Sequence, residues 1–87
     1  MSRNINDIFV KFDTNTKHFD VGAREGGKFS IIGRVADSRN VGYNIVEIVV
    51  RWVGQDNMFI NSVTKQHLSH TWKQIADKAY RTPGVWV

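Results

Sequence analysis

Apolar and polar residues alternate along most of the first sixty positions, and the spacing turns helical after them. The stretch with the strongest signal is Gly42-Tyr43-Asn44-Ile45-Val46-Glu47-Ile48-Val49-Val50-Arg51-Trp52-Val53, β-branched and aromatic with no proline. It reads as a long central strand. Asn44, Val46, Ile48, Val50 and Trp52 form a nearly all-apolar face, expected on the core. Tyr43, Ile45, Glu47, Val49, Arg51 and Val53 form a mixed face. Ahead of it, Ile8, Val10 and Phe12 alternate with Phe9, Lys11 and Asp13, giving a strand over about residues 7–13. Thr14-Asn15-Thr16 is a polar turn, and Phe19, Val21 and Ala23 mark a second, antiparallel strand. Arg24-Glu25-Gly26-Gly27 reads as a tight turn. A third strand is expected from Lys28 to about Ala36, with Phe29, Ile31, Gly33 and Val35 on one face. Residues 37–40 read as a loop and 54–57 as a turn, with a short strand at Met58-Phe59-Ile60.

From Val63 to Arg81 the apolar residues Leu68, Trp72, Ile75 and Ala79 follow i, i+4, i+7 and i+11, one stripe of an amphipathic helix. Ser62 is its expected N-cap, and Pro83 ends it near Arg81. The order of elements predicts an α+β fold: an antiparallel meander sheet of four to five strands with one C-terminal helix packed on one face. Residues 1–87 are expected to form a single domain, with no repeat or linker. The apolar tail Val85-Trp86-Val87 either adds a strand or plug to this domain or docks on a partner.

The chain has no cysteine, which excludes disulfides and thiolate metal sites. No segment resembles a signal peptide or a membrane span, so a soluble, cytoplasmic protein without a membrane partner is expected. Twelve Lys and Arg against eight Asp and Glu give a formal charge of +4. That moderate excess points toward an anionic partner.

Gly22-Ala23-Arg24-Glu25-Gly26-Gly27-Lys28 matches the first seven positions of a phosphate-binding loop. Phe29 follows where Ser or Thr would hold magnesium, and a strand follows where a helix N-terminus is needed, so a glycine hairpin is the better reading. His67 and His70, three apart on the expected helix, have the spacing of metal ligands or an acid–base pair; a metal would need a third ligand, and Asp77 lies almost three turns from His67 while Glu47 is on the central strand. There is no nucleophile in a strained glycine elbow. The sequence therefore points to a non-enzymatic protein without metal or cofactor.

The basic residues carry more. Arg24, Lys28, Arg34 and Arg39 lie in or beside the third strand, and Arg51 shares the mixed face of the central strand with Tyr43. Lys73 and Arg81 lie on the helix. Cations spread over one surface contact phosphates, and an aromatic platform such as Tyr43 stacks bases. The expected function is binding of RNA or single-stranded nucleic acid through Arg24, Lys28, Arg34, Arg39, Tyr43, Arg51, Lys73 and Arg81. The alternative is a protein-interaction module, an inhibitor of a host factor encoded by a virus or mobile element, or a homo-oligomer. It would use Val85, Trp86 and Val87 with the apolar part of the mixed face.

Overall fold

The structure, a computed structural model, describes residues 8–54, 56 and 58–87. Asp7 of the first expected strand, and Gln55 and Asn57 of the turn after the central strand, lie outside the described residues. The chain forms five antiparallel strands in sequence order, β1 (Ile8–Asp13), β2 (His18–Glu25), β3 (Lys28–Gly42), β4 (Ile45–Val53) and β5 (Phe59–Leu68). One helix, α1 (Trp72–Arg81), follows. This is the α+β meander with a C-terminal helix that the alternation predicts. Among the described residues, no helix is long and apolar enough to cross a membrane.

One face of the sheet makes the core. Val10, Val21, Val46, Ile48 and Val50 are fully buried there, joined by Ile75 of the helix. Aromatic side chains attach the helix to β1 and β2. Phe12 meets Tyr80 at 4.4 Å between ring centroids, and Phe19 meets Trp72 at 5.0 Å. Such tilted pairs add about 0.5–1.5 kcal/mol each beyond their burial.

Three boundaries differ from the expectation, each for a local reason. The third strand runs to Gly42 rather than Ala36, because bulges near Ala36 and Val41 let residues 37–40 stay paired with β4. The central strand starts at Ile45. Tyr43 and Asn44 form the turn before it, with Asn44 at a φ of 54°, a conformation asparagine tolerates. The helix begins at Trp72 rather than near Val63, and residues 59–68 are a strand, so neither His67 nor His70 is helical. Thr71 is its N-cap in place of Ser62. The Gln74 N–H donates to Thr71 Oγ1 at 3.3 Å, and the Thr71 N–H donates to Gln74 Oε1 at 3.1 Å. This reciprocal box satisfies main-chain donors that an uncapped helix leaves open. Asn40 Oδ1 accepts from the Trp72 N–H at 2.9 Å, tying the helix start to β3.

The tail belongs to this fold. Val10 and Val87 exchange both main-chain hydrogen bonds, at 3.0 and 2.9 Å, and the Gly84 N–H donates to the Phe12 carbonyl at 3.0 Å. The segment after the helix thus pairs with the outer edge of β1, which would otherwise expose a row of unmatched main-chain groups.

Candidate functional site

The face of the sheet away from the helix is the candidate site. Register and alternation put Phe9 and Lys11 of β1, Asp20, Gly22 and Arg24 of β2, and Phe29, Ile31 and Arg34 of β3 on it. Asp37 and Arg39 continue it along β3, Ile45, Glu47, Val49 and Arg51 along β4, and Val63, Lys65 and His67 along β5.

A bulge decides which β3 side chains appear there. Val21 pairs with Gly33 and Gly22 with Ile31, so Ile32 is an extra residue in the ladder. Ile32 turns inward and is 4 % exposed, while Phe29 and Ile31 turn out at 37 % and 45 %. The expectation that Phe29 and Ile31 share a face with Gly33 and Val35 is therefore corrected. A one-residue shift in a strand reverses the side chains beyond it.

Three rings, Phe29 exposed and Phe9 and Trp86 half-buried, gather over Gly22. A Cβ built at that position would lie 2.5 Å from the Trp86 ring, so only glycine lets the indole lie on the strand. Trp86 stacks on Phe29 at 5.9 Å and 19°, and Phe29 meets the edge of Phe9 at 4.9 Å. Cations border the cluster. Lys11 Nζ lies 4.7 Å from the Trp86 ring centre, and the Arg24 guanidinium lies 4.9 Å from that of Phe29. Farther across, Arg34 covers Phe59 at 5.1 Å.

Beside these rings a charged row crosses four strands: Lys11 opposes Asp20, Asp20 opposes Arg34, and Arg34 opposes Arg51. Asp20 Oδ1 accepts from Arg34 Nε at 3.4 Å. Arg51 stands exposed next to Arg34, and like charges directly opposed across strands repel. At the other end, Arg39 Nε donates to Glu47 Oε1 at 3.0 Å, and His67 Nε2 lies 3.2 Å from Glu47 Oε2. The Arg39 hydrogen bond holds the Glu47 carboxyl below its ordinary pKa against the opposing effect of desolvation, and the charges of Arg39, Lys65 and His67 add to it.

Arg24, Arg34 and Arg51 thus share the open face. Arg39 shares it too, ion-paired with Glu47. Lys28 opens β3 opposite Glu25 at the hairpin tip, where Gly26 and Gly27 supply the positive φ. Tyr43 does not share the face with Arg51; it projects from the β3–β4 turn, 95 % exposed. Lys73 and Arg81 are exposed on the helix, which packs on the opposite face of the sheet. In the tail, Trp86 and Val87 are half-buried against their own sheet, and Val85 is exposed. The sequence reading did not single out Lys11, Phe9, Phe29 or Phe59. The signal for the first three was Gly22, a glycine in mid-strand that marks a close approach by another group.

The phosphate-loop pattern lies on β2, a two-glycine turn and the first residue of β3, with Gly22 beneath Trp86. Among the described residues, no three His, Asp or Glu side chains gather in a way that would hold a metal ion. Compared with protein-family models, curated proteins and solved structures, the chain matches none.

Proposed function

We propose that this is a binding protein, not an enzyme, and that its open sheet face binds RNA or another single-stranded nucleic acid. The observation that supports this reading is the cationic row Lys11, Arg34 and Arg51 running beside the ring cluster Trp86, Phe29 and Phe9, with Asp20 as the row's carboxylate. Phosphates of a flexible strand would relieve the Arg34–Arg51 repulsion, while the rings offer faces on which bases stack. Neither element reads base edges, so binding would be tolerant of sequence. The helix cations Lys73 and Arg81 face away and are left out.

A salt titration with a short single-stranded RNA tests it. Log K should fall with log salt by about 0.7 per phosphate contact, and Arg51→Ala should reduce the slope by about that amount. Lys73→Glu with Arg81→Glu, on the opposite side, should leave affinity within a factor of a few. Salt-independent binding, no binding, or a larger loss from the helix pair would refute the proposal.

A second reading rests on β5. It is the free edge of the sheet among the described residues, and it exposes Phe59, Ile60 and Val63. Its only Lys, Arg, Asp or Glu is Lys65. Such an edge suits pairing with another strand, from a second copy or another protein.

A further inference from the structure

Between β1 and β5 the curled sheet leaves a cavity of about 480 Å³, within the range of small-molecule sites. Val87 pairs with Val10, and Ile8 and Phe9 line the cavity beside that pairing. Ile8, two residues from Val10 in the strand, presents its N–H and C=O on the same outward side. Across the gap stand His67, Leu68, Ser69 and His70, and Gln74, Ile75 and Lys78 of the helix close it from above.

The lining separates by chemistry. Ile8, Phe9, Val10, Leu68, Ile75 and Val87 are apolar, while His70, Lys78, Ser69 and Gln74 supply hydrogen bonds. Among the described residues no Asp or Glu side chain lines the space, so every charge that their side chains can place there is positive. An apolar space with cations on one side complements a molecule with an apolar body and an anionic head.

We infer that the seam cavity binds a small organic acid, its hydrocarbon part against Leu68 and Ile75 and its carboxylate at Lys78. A nucleotide fits the lining less well. Its ribose hydroxyls and base edges would lose water against the side chains of Val10, Leu68 and Ile75, which return no hydrogen bonds. The inference does not depend on the open sheet face.

The test follows backbone amide shifts by NMR during titration with decanoate, with decanol and with adenosine monophosphate. Decanoate should give saturable shifts at Ile8, Leu68, Ile75 and Lys78, and decanol should bind at least tenfold more weakly. Lys78→Met should weaken decanoate by about tenfold, the loss of roughly one charged hydrogen bond, and leave decanol unchanged. The Lys78 carbonyl, not its side chain, caps the helix, so this variant keeps the fold. Ser69→Trp, at an exposed lining position, should block both ligands by filling the space. Equal binding of decanoate and decanol, shifts confined to other surfaces, no shifts, or saturation by the nucleotide in place of decanoate would overturn the inference.

Discussion

Gly22→Ala changes one atom, and the structure fixes what that atom meets. The three nearest atoms to the new Cβ, at 2.5, 2.6 and 2.9 Å, all belong to the Trp86 ring. Contacts this short cannot persist, so either the strand moves or the indole leaves its place. Overpacking of this kind costs about 1–3 kcal/mol. Displacing the ring also weakens its stack on Phe29 and its contact with Lys11, each worth about 0.5–1 kcal/mol. Against this, alanine in a strand is favoured over glycine by roughly 0.5–1 kcal/mol, because glycine loses more freedom on folding. The net expected loss is about 1–4 kcal/mol. In a chain of 87 residues each kcal/mol moves Tm by about 4–8 °C. The sign should reverse once the ring is removed. In a Trp86→Ala background, Gly22→Ala should stabilise by about 0.5–1 kcal/mol, giving a coupling of about 1.5–5 kcal/mol across the cycle. Urea unfolding of the four proteins, followed by far-ultraviolet circular dichroism, measures all of this. If Gly22→Ala destabilises equally in both backgrounds, the Cβ meets something other than Trp86, and the placement of the indole on β2 is wrong.

Two further outcomes follow from other parts of the molecule. Glu47 has its pKa lowered in the fold from the ordinary 4.5. Its contribution is therefore fully present above that value and lost as pH falls through the lower folded pKa. Wild-type urea midpoints should drop below about pH 4.5 more steeply than those of Glu47→Gln, with Asp13, lowered by the Asn15 N–H, sustaining part of the slope in both. Parallel curves would remove Glu47 from the acid response. If β5 pairs with another copy, sedimentation at increasing protein concentration should reveal a dimer that survives molar salt, because its contacts are apolar and main-chain. Val63→Lys should return it to monomer, and a wild type that stays monomeric throughout ends that reading.

The sheet was legible because four of its strands bury one face, and burial writes a period of two into the sequence. Val46, Ile48 and Val50 declare β4 in this way. β5 buries little on either side, so Phe59–Leu68 carries no clean alternation. Leu68 falls in helical spacing with Trp72, Ile75 and Ala79, which carries the expected helix back to Val63, nine residues before its start at Trp72. The signal of the true helix start was the pair Thr71 and Gln74, a capping box three residues apart. The open face was half legible. Arg34 and Arg51 were placed outward by alternation alone, but Phe29 and Ile31 were not, because a single extra residue at Ile32 is invisible to a count of periods. Trp86 over Gly22 joins positions far apart in sequence, and no local pattern encodes such a contact.

The hydrogen bonds between Val10 and Val87 have a kinetic meaning as well. They connect segments far apart in sequence, at Val10 and Val87, so the entropy of closing a long loop must be met before they form. Neighbouring hairpins assemble from short-range encounters, whereas this closure waits for them. Hydrogen exchange should therefore find the amides of Val10 and Val87 opening together and more often than those of β3 and β4, with the seam behaving as the last piece to arrive and the first to leave.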